Sequence, residues 1–319
     1  MTRELCGLMA ALMLLVAPDG RAQSLFGDDA FAFVAIGDFP YHRGGARDET
    51  YTRLIDTVNA ARPDFVIHVG DFKSGKTLCS DERFALERDM LNSFESAVIY
   101  TPGDNEWTDC HRTNNGGYDP VERLAMLRSM FFAGDRSFGR RPIDLLRQTS
   151  VDARAPTPEN AFWWHNGIAF ATVHVVGSNN NADDTREFPA RDAANAAWIG
   201  HAFARATEAR STALVLALHA DIFEMSGRRD GFRATQEAIE HGARAFGGPV
   251  LVIHGDSHRF VIDQALIDFA PDIDNVTRLQ VFGDAEVHAV RVLIDPSTPG
   301  VFAFQPLIVP GNTRSSRGG

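Results

Sequence analysis

Apolar and polar positions follow two rhythms along this chain, and each change of rhythm marks an element. Short apolar runs at 31–36, 65–69, 98–101, 213–218 and 250–253 are bounded by turn residues and predict buried strands. Between them the spacing lengthens to that of helices: Leu54, Ile55 and Val58 share one face of a predicted helix over 49–61. Further helices are predicted over 81–97, 190–206 and 233–246. Residues 161–164 and 168–176 read as a β-hairpin turning at Asn166 and Gly167, a pair suited to a two-residue turn. The stretch 105–158 breaks the rhythm. It is rich in Gly, Arg, Asp and Asn around one helical piece near 121–132, and most of it, 107–158, reads as an insertion. The tail from Val261 reads as further strands. Strands alternating with helices predict one α/β domain over 23–319.

Ahead of that domain, Arg3 precedes an apolar run from Leu8 to Ala17, with small residues after it and Ala22 placed for cleavage. The run is too short to span a bilayer and predicts a signal peptide over 1–22, hence a periplasmic or secreted protein with no membrane span once the signal is removed. Cys6 leaves with the signal. Cys79 and Cys110 remain, and in an oxidising compartment that pair predicts a disulfide.

With 319 residues at 44% hydrophobic, the chain has enough apolar surface for a large core. Its net charge of -11 argues against stable nucleic-acid binding, which needs clustered Lys and Arg against phosphate. No G-x-S-x-G elbow is present, which disfavours a serine hydrolase.

Five strand ends carry polar groups that a strand interior does not explain. They are Gly37-Asp38-Phe39-Pro40-Tyr41, Gly70-Asp71-Phe72-Lys73, Gly103-Asp104-Asn105-Glu106-Trp107, Leu218-His219-Ala220-Asp221 and His254-Gly255-Asp256-Ser257-His258. In open α/β sheets the ligand site lies beyond the carboxyl ends of strands, and glycine beside each acid allows a sharp turn. A single Gly-Asp pair is most often just a turn. The order Asp, Asp, Asp-Asn, His, Asp-x-His is far more informative.

In that order the chain resembles the calcineurin-like metallophosphoesterases, whose pattern runs D-x-H, G-D, G-N-H-[DE], H, G-H-x-H. The resemblance implies two packed mixed β-sheets flanked by helices, an α-β-β-α sandwich, around two divalent metal ions such as Mn, Mg, Fe or Zn. It also implies metal ligands: Asp38 on the first ion, Asp71 bridging both, Asp104 or Asn105 on the second with His219, Asp256 on the second and His258 on the first.

Three motifs depart from the family pattern. Pro40 stands at the first-motif His, leaving Tyr41 or His42 as substitutes. A gapless match puts Asn105 at the catalytic His, so the proton for the leaving group falls to His111 or His254, or the substrate has a good leaving group. Asp256 replaces an imidazole and tilts the site toward Mg or Mn. Ser178-Asn179-Asn180-Asn181 is a further polar cluster able to face a substrate, whereas Trp163, Trp164 and Trp198 are expected in the core.

The implied activity is hydrolysis of a phosphomonoester or phosphodiester of a small molecule, lipid or nucleotide. Two cations about 4 Å apart would hold a bridging hydroxide for in-line attack. The alternative is a periplasmic binding protein that keeps the fold without turnover.

Overall fold

The computed structural model describes residues 27, 29–39, 41, 49–224, 227–268 and 270–312; the predicted signal, Cys6, Pro40 and His42 lie outside them. Twelve strands are described, of which the first six are β1 (Phe31–Ile36), β2 (Phe65–His68), β3 (Ala97–Tyr100), β4 (Leu146–Arg147), β5 (Ala161–His165) and β6 (Ile168–Thr172). The others are β7 (Leu214–Ala217), β8 (Val250–His254), β9 (Val261–Asp263), β10 (Val276–Gln280), β11 (Ala289–Ile294) and β12 (Phe302–Leu307). They form two mixed sheets, ordered β12-β11-β1-β2-β3 and β4-β5-β6-β7-β8-β10-β9.

Side-chain alternation builds the layers. In β1, Phe33 and Ala35 point into the space between the sheets, where they join Ile67, Phe170, Val215 and Ile253 in one core. Val34 and Ile36, on the opposite face, pack against the helix α1 (Glu49–Ala61) through Leu54 and Val58. On the far side, the helices Phe188–Glu208 and Arg233–Phe246 cover the second sheet through Trp198, Ile199 and Ile239. The result is the four-layer α-β-β-α sandwich. Central strands buried on both faces read as unbroken apolar runs, which is why they stand out in the sequence.

Several boundaries differ from the sequence expectation. The helix predicted over 81–97 is α2 (Asp81–Leu91), capped at its start by Ser80 and closed at Asn92. Asn92 and Ser93 favour local hydrogen bonding over helix propagation, and Phe94 turns into the core instead. The hairpin turn has positive φ at both Asn166 and Gly167, as a two-residue turn of this hand requires. Trp164, expected in the core, is exposed under the Arg205 guanidinium, because it sits on the opposite face of β5 from Trp163. Within 105–158, the helix α3 (Pro120–Phe131) packs Leu124, Leu127 and Phe131 into the same cluster as Phe84 of α2. Among the described residues no helix is long and apolar enough to cross a membrane.

Candidate metal centre

Strand direction places the polar groups at one edge. β1, β2 and β3 are mutually parallel, as are β7 and β8, so their carboxyl ends emerge together. Asp38, Asp71 and Asp104 follow the three strands of the first sheet; His219, Asp256 and His258 follow two strands of the second. Asp38, Asp71, Asp256 and His258 all have φ between 56° and 73°, a left-handed backbone that is uncommon for non-glycine residues.

Two glycines are required by space. A Cβ on Gly103 would lie 2.1 Å from Asp71 Oδ1, and one on Gly255 would lie 2.4 Å from Asp38 Oδ2. The neighbouring loops thus interlock only where a side chain is missing.

His219 is at the middle of the cluster and fully buried. Its Nε2 lies 3.4 Å from Asp104 Oδ1, 3.5 Å from Asp71 Oδ1 and 3.9 Å from Asp256 Oδ1, with no hydrogen-bond partner. Two sets of ligand atoms fall within 4.8 Å of one another: Asp38, Asp71 and His219, and Asp104, His219 and Asp256. His258 Nε2 adjoins the first set at 3.7 Å from Asp38 Oδ1, while its Nδ1 meets Asp284 Oδ1 at 3.2 Å. A metal-ligating imidazole typically has its other nitrogen held by a carboxylate or carbonyl, and that is the arrangement here.

The electrostatics call for positive charge. Burial pushes the carboxyls of Asp38 and Asp71 upward and that of Asp256 to about 6, with mutual repulsion among the aspartates adding to it. Asp104 is also buried, but His219 and the Ser178 hydroxyl outweigh that and hold it at about 2. Burial works against the His219 imidazolium, yet Asp71, Asp104, Asp256 and Asp38 draw its affinity for a proton well above the ordinary value. Four aspartates and an unpartnered imidazole nitrogen in one enclosed space fit divalent cations, and the excess of oxygen donors favours hard ones.

The remaining sequence candidates divide. Asn105 is in the site: its backbone N–H donates to Asp71 Oδ1 at 3.1 Å, and its side-chain amide donates to Asp71 Oδ2 and, at 3.1 Å, to the Tyr41 hydroxyl. His111 is exposed, bonded through Nδ1 to the Thr108 carbonyl, and does not line the cavity over the cluster. His254 is fully buried behind the strand end, with its Nε2 3.9 Å from Asp221 and no opening to that cavity. The structure therefore brings neither of these histidines to the cavity over the aspartates.

Other groups in the site carry weaker sequence signals. The Tyr41 hydroxyl donates to Asp71 Oδ2 at 2.8 Å and lies 3.2 Å from His258 Nε2, beside the first ligand set. Ser178 donates to Asp104 Oδ2 at 2.8 Å from a turn in which Ser178, Asn179, Asn180 and Asn181 all have positive φ. Arg191 holds that turn by donating to the Asn180 carbonyl and side chain. Asp284 shows no motif at all. The expected disulfide is present between Cys79 and Cys110, with Cα atoms 5.8 Å apart, and it ties the loop after β2 to the loop after β3.

Residues 31–260 match the family model described as calcineurin-like phosphoesterase. No curated protein matches the sequence. Among solved structures, a dimetal phosphatase from Danio rerio is similar at a TM-score of 0.52 and 11% identity, covering 88% of this chain and 99% of that one. GAP50, described as the anchor in the inner membrane complex of Plasmodium, is similar at a TM-score of 0.50 and 9% identity, covering 88% of this chain and 89% of that one. At these identities the likeness is one of fold.

Proposed function

The chain belongs to the calcineurin-like phosphoesterase family, and we propose that it is an exported, metal-dependent hydrolase of phosphate esters. The observation that carries this is the convergence of Asp38, Asp71, Asp104, Asp256 and the unpartnered Nε2 of His219 within ligating distance. A shared fold does not decide function, since the same architecture occurs in a dimetal phosphatase and in a protein described as an anchor. The site must decide it.

When bound, divalent cations supply Lewis acidity toward phosphoryl oxygens and a water acidic enough to attack at neutral pH. Asp71, in the first ligand set and 3.5 Å from the His219 nitrogen that both sets share, would set the spacing of the ions. Asp104 and Asp256 with His219 form the second seat, and Asp38 with His258 completes the first, next to Tyr41. With Asn105 at the family's catalytic-histidine position and no imidazole supplying a proton from His111 or His254, this centre suits esters with good leaving groups. Export is supported by the N-terminal apolar run and by the disulfide.

A second reading, a phosphate-ester-binding protein without turnover, draws on the two missing family histidines, with Pro40 at the first-motif position and Asn105, whose amide has no proton to release, at the third. The separating experiment counts metals in the purified mature chain and assays aryl phosphate mono- and diesters with added Mn or Mg. Two bound ions with hydrolysis support the enzyme; two bound ions with none support the binder.

A further inference from the structure

The cavity above the metal centre has a volume of about 970 Å³ and extends well past the aspartates. Beyond Asn105 its wall is the loop after β2, residues 74–78, together with Arg83 and Arg112. In a chain of net charge -11, Lys76, Arg83 and Arg112 put three cations on one side of a cavity whose floor is carboxylate. We propose that this wall is a second anion subsite, and that the substrate is a phosphate ester whose leaving-group side carries a further negative charge, a phosphate or a carboxylate.

Three observations support this. The first is position: a Cβ on Gly75 would lie 2.6 Å from Asn105 Oδ1 and 3.2 Å from Arg112 Nη1, so the wall abuts the residue standing at the family's catalytic-histidine position. The second is that the wall is held in place. The Cys79–Cys110 disulfide joins its two halves. Asp109, buried beneath, pairs with Arg112 Nη1 at 2.5 Å, and buried Glu87 pairs with Arg83 Nη1 at 3.3 Å. A guanidinium has five N–H donors, so one inward ion pair fixes each arginine and leaves donors for a ligand.

The third is the lysine. Lys76 is exposed and, among the described residues, has no carboxylate within ion-pair distance, so it meets the cavity without a direct partner. An anion on the leaving-group side would neutralise the lysine's charge while the scissile phosphate rests on the metals.

The inference rests on the phosphoesterase activity proposed above, and one experiment separates the two. The Mn-loaded full chain is assayed with phenyl phosphate, 4-carboxyphenyl phosphate and 1,4-phenylene bisphosphate. The readout is the ratio of each kcat/KM to that of phenyl phosphate, followed across variants so that leaving-group acidity cancels. The expected result is a preference for at least one of the two esters that carry a second anionic group, which falls by about tenfold or more in Lys76→Ala/Arg112→Ala and is kept in Lys76→Arg/Arg112→Lys, which also controls for folding. Preference for the bisphosphate alone assigns a phosphate, and preference for both a general anion. Hydrolysis of all three esters with no preference, or a preference untouched by the alanine pair, overturns the subsite and leaves the phosphoesterase standing. Hydrolysis of none overturns both.

Discussion

The imidazole of His219 donates from Nδ1 to the carbonyl of Val69 at 2.8 Å, a bond between a residue after β7 and a residue after β2. A carbonyl can only accept, so Nδ1 carries a proton and the ring directs Nε2 at Asp71 and Asp104, where any proton that the aspartates hold on it must leave as an ion binds. The ligand atom is thereby oriented before any ion arrives.

His219→Ala is expected to weaken metal binding by about 100-fold or more, read by calorimetric titration of metal-stripped protein with Mn. Asp71→Asn is expected to weaken both sites at once, because its carboxylate belongs to the first set and lies 3.5 Å from the His219 nitrogen that both sets share. Full activity and two tightly held ions in Asp71→Asn would remove the bridging assignment.

Gly103→Ala tests the interlocking of the loops. With Asp71 Oδ1 only 2.1 Å from the added carbon, the carboxylate must move. The expected result is a loss of about 1–3 kcal/mol in unfolding free energy from overpacking, together with a drop in metal affinity. An alanine variant with native affinity would show that the loops have room to shift.

Much of this centre was legible because strand ends announce it. Asp38, Asp71, Asp104, His219, Asp256 and His258 each follow an apolar run, and parallel strands oblige such positions to converge. Tyr41, Ser178 and Asp284 were less visible, or not visible at all, because their roles depend on contacts across the fold: Ser178 reaches Asp104, 74 residues away in sequence. His111 attracted attention by lying beside the third motif. Sequence proximity does not reveal which side of a one-turn helix faces inward: in Thr108–His111 the first three residues are buried and His111 faces solvent. The end of α2 was misplaced for a related reason, since Phe94 continues the apolar pattern after the helix has stopped.

His68 gives a prediction for stability against pH. It is fully buried, its Nε2 donates to the Phe39 carbonyl at 3.0 Å, and its Nδ1 accepts from Gly70 N–H at 3.2 Å. Burial lowers its pKa from 6.5 to about 4. Between those values the unfolded chain takes up a proton that the folded one refuses, so this contribution is complete above about 6.5 and declines as pH falls toward about 4. The slope from one such group is at most ~1.4 kcal/mol per pH unit. His68→Gln is expected to flatten the profile of unfolding free energy over this window by up to that amount, measured by urea denaturation at several pH values.

The disulfide encloses a loop defined by a sequence separation of 31. Removing it as Cys79→Ser/Cys110→Ser is expected to cost about 3–4 kcal/mol by loop entropy, seen as a lower denaturation midpoint. Reductant should destabilise the native chain and leave the double variant unchanged.

The origin of the ligands has one more consequence. Asp38, Asp71 and Asp104 follow strands of one sheet, while His219, Asp256 and His258 follow strands of the other, so each bound ion would be a cross-link between halves otherwise joined by apolar packing and a few hydrogen bonds, such as those from His219 to Val69 and from Asp256 to Asp38. The two halves cannot peel apart without first surrendering the ions, and resistance to heat should climb with free cation concentration as mass action requires. In this protein the catalytic centre would double as a fastener, and a cell short of the right metal would hold a looser molecule as well as an idle one.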